Sequence, residues 1–381
     1  MNDFFGKFTS NTLAGSGNQF IFRQDGKEIR TGRVFYKIFR GGRYDYSFLF
    51  SNVIDGTFAD GSGCEKNHVC PKWTLYNLRA GKCTHIPADK EIAETTLSDD
   101  GFADIAVSDF KDVYFGGEKI RTVGEGETFY SDSVSLSFEK GEYLCLEITF
   151  SGTEIPYHEE TLLPTFVKNG EKWEYSRKMP VASMIGCDRK TDGRIAFLGD
   201  SITQGIGTRA NSYLHWNALF AEKLGGNYAY WNLGIGCGRA SDAASDGAWL
   251  YKAKQNDLCF VCFGVNDILH GASAAEIIRD LRIVYRKLTA AGVKAVMLTV
   301  PPFEYPENMR TIWAEANRLI LNEPIFSGNV FDVVPFLAES TLKPYNAKFG
   351  GHPNEKGCAV WADRLYTATV KNAYLNFKNS D

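Results

Sequence analysis

The chain has 381 residues, 44% of them hydrophobic and 23% charged, with a formal net charge of −4. That length exceeds one ordinary core, so two domains are expected, and the composition is that of a globular protein rather than a disordered one. The small negative charge excludes a general electrostatic pull toward nucleic acid or anionic lipid, and a small neutral or mildly polar ligand fits better.

Met1-Asn2-Asp3-Phe4-Phe5-Gly6-Lys7 has no basic region followed by an apolar stretch, and no later run reaches the length of a membrane span. The chain reads as cytoplasmic. Nine cysteines, at 64, 70, 83, 145, 187, 237, 259, 262 and 358, cannot all pair, which agrees with a reducing compartment.

From about residue 30 to 180 the rhythm has period two, the spacing that puts side chains on one face of a strand. Tyr44, Tyr46, Phe48 and Phe50 alternate with Arg43, Asp45, Ser47 and Leu49, after an Arg40-Gly41-Gly42-Arg43 stretch that suits a hairpin turn. Val134, Leu136 and Phe138 alternate with serines; Glu139-Lys140-Gly141-Glu142 offers a second hairpin turn into Leu144, Leu146, Ile148 and Phe150. An antiparallel sandwich of jelly-roll type over residues 1–188 is the expectation.

The polar stretch from Cys187 to Gly193 marks the boundary, and residues 189–381 form the second domain. There, apolar runs 195–198, 228–233, 258–263, 295–300 and 330–334 predict five strands covered on both faces. Ile277, Leu281, Val284 and Leu288 recur at helical spacing, and helices are predicted over 308–321 and 354–370. Alternating strands and helices predict an α/β domain with a parallel sheet.

In such a sheet ligands bind beyond the carboxyl ends of the strands. The first predicted strand runs into Gly199-Asp200-Ser201-Ile202-Thr203-Gln204-Gly205, the second into Gly234-Ile235-Gly236-Cys237-Gly238, and the third into Gly264-Val265-Asn266-Asp267; Gly351-His352-Pro353-Asn354-Glu355-Lys356-Gly357 lies near the end. Acyl transfer needs a hydroxyl nucleophile, a base and donors for a developing oxyanion. Ser201 supplies the first and His352, an imidazole titrating near neutrality, the second. The Ser201 N–H, the Asn266 amide and a backbone N–H at Gly236 or Cys237 supply the third. No metal or other cofactor is required.

These four blocks, in this order, resemble the SGNH (GDSL) hydrolase family over residues 194 to about 370. The resemblance implies a flavodoxin-like sheet, ester hydrolysis, Ser201 as nucleophile and oxyanion donor, Asn266 as donor and His352 as base. Two positions depart from the family pattern. Phe349 stands where an Asp usually precedes the histidine by three residues, which implies a Ser-His dyad with a carbonyl acceptor orienting the base. Cys237 stands at the second-block glycine, where a backbone donor survives the change.

The β-rich half carries Val113-Tyr114-Phe115-Gly116-Gly117, Gly126-Glu127-Thr128-Phe129-Tyr130-Ser131-Asp132 and Tyr157-His158, and looks like domains preceding certain bacterial SGNH hydrolases. Two-domain layouts of this kind occur among carbohydrate esterases, so a short acyl group, acetyl above all, on a carbohydrate is the expected substrate. A lipid or aryl esterase, a non-catalytic sugar-binding protein and a structural protein are the alternatives.

Other residues have plainer readings. Asp200 and Asp267 are expected to hold turns through backbone hydrogen bonds. Cys259 and Cys262 lie inside an apolar run and read as buried strand residues rather than a metal or redox pair. Cys64, His68 and Cys70 lack a fourth ligand at zinc spacing. His85, His158, His215 and His270 lack a partner block, and only His158 and His270 merit attention near a cleft.

Overall fold

The computed structural model describes residues 2–56, 68–84, 86, 105–372 and 374–376. The chain divides into two compact units, Met1–Thr191 with Arg209–Asn211, and Asp192–Thr208 with Ser212–Asp381. Among the described residues, no helix is long and apolar enough to cross a membrane.

The first unit is antiparallel β-structure with a single short helix, Asn2–Lys7, among its described residues. One sheet contains Gly42–Ser51, paired with Met184–Cys187, Thr128–Tyr130 and Val134–Phe138; the other centres on Tyr143–Ser151, flanked by Arg30–Lys37 and Trp73–Cys83. Period two alternation is explicit in the second sheet. Val34, Tyr36, Leu78, Ala80, Leu144, Leu146 and Ile148 share one face and are fully buried.

Neither expected hairpin forms. Arg30–Lys37 and Gly42–Ser51 belong to different sheets, as do Val134–Phe138 and Tyr143–Ser151. The chain instead crosses between sheets twice, side by side: Gly42 pairs with Phe138 in one sheet and Lys37 with Tyr143 in the other. The Gly141 N–H donates to the Ile38 carbonyl at 2.9 Å, and the Ile38 N–H to the Glu142 carbonyl at 2.8 Å. Alternation fixes which face a side chain occupies, but it carries no label for the partner strand.

In the second unit Gly193–Gly199, Tyr228–Gly234, Leu258–Cys262, Lys294–Leu298 and Val330–Phe331 form one parallel sheet. In chain order of the strands, the spatial order is 2-1-3-4-5. The connections reverse direction at the first strand, and this switch point is where an open α/β sheet opens a crevice at its carboxyl edge. Ser201 follows that strand directly. The sheet centre is aromatic: the Phe197 ring lies parallel to those of Tyr230 and Phe260, with centroids at 6.4 and 5.8 Å.

The predicted helices are present. Ala274–Ala290 starts with a capping box between Ser273 and Glu276, Glu307–Asn322 follows the fourth strand, and Glu355–Lys371 is capped by Asn354. Trp216 of helix Trp216–Leu224 and Trp361 of the last helix stack at 4.7 Å, both fully buried. That contact anchors the helix immediately following His352.

Candidate functional site

Ser201 is the first residue of a one-turn helix, Ser201–Gln204, entered directly from the first strand. Asp200 is its cap and accepts the Ile202 N–H at 3.0 Å. As the first helical residue, Ser201 has a backbone N–H with no acceptor inside the helix. Its Oγ lies 2.8 Å from the His352 Nε2, across 151 residues of sequence.

His352 sits in the turn before the last helix. The Asn354 N–H donates to the Phe349 carbonyl at 3.0 Å, and the Asn354 side chain accepts from Lys356 and Gly357. Phe349 contributes packing instead of a carboxylate: its ring lies beside Gly357 and under the Lys348 ammonium. The imidazole has an aromatic neighbour that sequence reading missed, because the Phe303 ring meets it edge-on at 5.4 Å and 79°. Gly207 lies beneath, with φ +99°. A Cβ there would stand 2.7 Å from the His352 carbonyl oxygen, so the turn closes only over a glycine.

Asn266 occupies the second position of helix Val265–Leu269, which starts at Gly264 with φ +126°. A Cβ on Gly264 would lie 2.5 Å from Val300. The Asn266 Nδ2 donates to the Gly238 carbonyl at 3.2 Å and, at a longer 3.4 Å, to Asp200 Oδ2. Three strand ends therefore converge on one amide. His270, just beyond, is exposed and places Nδ1 2.7 Å from the Asn266 carbonyl.

The loop after the second strand separates the two backbone candidates. The Gly236 N–H is committed to Gln204 Oε1 at 2.7 Å. Gly238 N–H closes a turn onto the Ile235 carbonyl, leaving Cys237 at its third position with φ +61°. This is the left-handed conformation that glycine adopts without strain and other residues adopt at a cost. Gln204 belongs to the motif that follows the first strand, and its buried amide at the end of the one-turn helix is satisfied by the bond from Gly236.

Both neighbouring aspartates bond to backbone. Asp267 accepts the Ala240 N–H on both oxygens at 3.1 Å. Burial pushes the Asp200 carboxyl up to about 7 and the Asp267 carboxyl to about 6, against the opposing pull of those N–H bonds.

The remaining candidates lie elsewhere. Cys259 and Cys262 are buried in the third strand as free thiols. His158 is buried in the first unit, and His215 occupies the N-cap position of helix Trp216–Leu224 without a side-chain capping bond. His68 places Nε2 3.5 Å from a Glu154 oxygen; Cys64 and His85 lie outside the described residues. Among the described residues, no group of three metal-ligating side chains occurs.

The sequence model of the GDSL-like Lipase/Acylhydrolase family matches residues 197–360. None of the curated proteins compared with the sequence matches it. Solved structures similar to the chain include a psychrotrophic esterase, EstA, from Pseudoalteromonas (17% identity, 49% of this chain and 100% of that one, TM-score 0.37). Others are a member of the lipolytic protein G-D-S-L family from Veillonella parvula (15%, 47% and 96%, 0.37) and the acetyl xylan esterase AlAXEase (20%, 46% and 98%, 0.36). The C-terminal half of the chain carries a domain of the GDSL-like lipase/acylhydrolase family, and the protein is an ester hydrolase.

Proposed function

We propose that the protein removes a short acyl group, acetyl above all, from a carbohydrate ester through an acyl-Ser201 intermediate. The observation that carries this reading is the 2.8 Å approach of Ser201 Oγ to His352 Nε2 at the carboxyl edge of the parallel sheet. His352 takes the Ser201 proton as Oγ attacks the ester carbonyl, and the resulting imidazolium protonates the departing sugar oxygen, which leaves as the alcohol. Water then repeats the sequence on the acyl-enzyme, with His352 again as base.

The oxyanion is met by the Ser201 N–H, the Cys237 N–H and the Asn266 amide. Cys237 is preferred to Gly236 because the Gly236 N–H already serves Gln204. Asn266 exchanges its long contact with Asp200 for the oxyanion while its bond to Gly238 holds the amide in place. The base works in a dyad with a carbonyl acceptor orienting it, and the Phe303 ring packs edge-on against the imidazole.

We also propose the domain boundary at 188/189. The carbohydrate preference follows from the two-domain layout with a β-rich first half. Comparing acetylated oligosaccharides with long-chain esters tests it: acetate release from the former at the higher kcat/KM supports it, and preference for long acyl chains transfers the same machinery to lipid.

A further inference from the structure

The sheet of the first unit centred on Tyr143–Ser151 has one wholly apolar face, while on the other a buried cluster of Phe35, Cys83, Tyr143, Cys145 and Phe166 gives way, from Glu147 onward, to polar residues. On this second face Glu147 stands in register between Arg33 and Arg79. Arg33 Nε donates to Glu147 Oε2 at 2.9 Å, and Arg79 donates from Nε and Nη2 to Oε1. Two guanidiniums thus share one carboxylate. The next acid in register with Arg79, Asp112, is paired with Lys119.

Aromatic rings hold both cations still. Arg33 lies 4.2 Å from the Trp173 centroid and 5.5 Å from that of Phe110, while Arg79 lies 4.4 Å from Phe110. Neither Nη of Arg33, nor Nη1 of Arg79, has a hydrogen-bond partner among the described residues. The outer edges of two immobilised forks therefore remain as donors. A fork held in this way accepts a carboxylate with little loss of side-chain entropy. Two residues along the same face, the hydroxyls of Thr31 and Thr149 sit 3.0 Å apart and half-buried, forming a second polar row about 6.5 Å away.

We propose that this face binds a uronic-acid residue of an acidic glycan, its carboxylate on Arg33 and Arg79 and its hydroxyls toward the threonine row. The excess positive charge selects an acid, and the adjacent hydroxyls favour a sugar acid over a bare anion. The site is independent of Ser201, so its failure and that of the esterase reading are distinguishable.

Calorimetric titration of the full chain with a galacturonic-acid trimer, a galactose trimer and inorganic phosphate tests it. The acidic trimer binds, the neutral trimer and phosphate bind at least about 10-fold more weakly, and Arg33→Gln and Arg79→Gln each weaken the acidic trimer by about 10-fold. Both variants retain the native rate on p-nitrophenyl acetate, which reports that they fold. Arg33→Lys, with its charge but without the fork, recovers part of the affinity. No binding of the acidic trimer, equal binding of the galactose trimer or phosphate, or binding unmoved by either glutamine variant overturns the proposal and leaves Arg33, Glu147 and Arg79 as a self-contained cross-strand ladder.

Discussion

At the scale of single residues, Gln204 and Cys237 shape the loop after the second strand in complementary ways. Gln204 ties Gly236 to the helix that begins at Ser201, and Cys237 bears the left-handed conformation that the turn imposes. Gln204→Leu removes the acceptor and leaves a buried N–H unpaired, so kcat falls by about 10-fold with KM little changed; an unchanged kcat would detach Gln204 from the loop's function. Cys237→Gly keeps the backbone donor and relieves the positive φ, so kcat/KM stays within about 3-fold of native. A loss of about 10²-fold in that variant would mean the thiol itself takes part.

The choice between Gly236 and Cys237 was not legible in the sequence. Both supply a backbone N–H, and the group that distinguishes them is a side chain 32 residues earlier. Phe303 was equally hidden, since it reaches His352 from a separate loop and belongs to no motif. That Ser201 and His352 come together was legible, because one follows a strand and the other precedes a helix whose pattern is strong.

At the scale of elements, the five parallel strands and their helices followed from continuous apolar runs and helical periodicity. The β-rich half was read correctly in class and wrongly in pairing at both turns. Strand length and alternation determine a face, while sheet crossing depends on non-local packing that tight-turn residues such as Gly41 and Gly141 do not encode. The approach of the Ser201 and His352 elements depends on Gly207. A Cβ at that position meets the His352 backbone, which cannot yield as a flexible side chain would. Gly207→Ala therefore displaces the base and lowers kcat by about 10²-fold while circular dichroism remains native-like. Native kinetics in that variant would show that the turn tolerates the displacement.

For the whole molecule, the buried aspartates predict how stability changes with pH. Burial raises the folded-state pKa values of Asp200 and Asp267 above the ordinary carboxylate value of 3.8. Between about pH 4 and pH 7 the native state holds protons that the unfolded chain has released, so their contribution to stability is present below that window and is lost as pH rises through it. The unfolding midpoint in denaturant is accordingly higher at pH 5 than at pH 8, and Asp200→Asn flattens the difference. An equal pH dependence in native protein and variant would contradict the assignment to Asp200.

We assign Ser201 as the nucleophile of the ester hydrolase, with His352 as the base that activates it. The most direct measurement is kcat/KM for p-nitrophenyl acetate in native protein and in the Ser201→Ala and His352→Ala variants, with native folding checked for each. This assignment predicts turnover by the native chain and a loss of at least about 10³-fold in either variant. Equal rates in native protein and Ser201→Ala would contradict it.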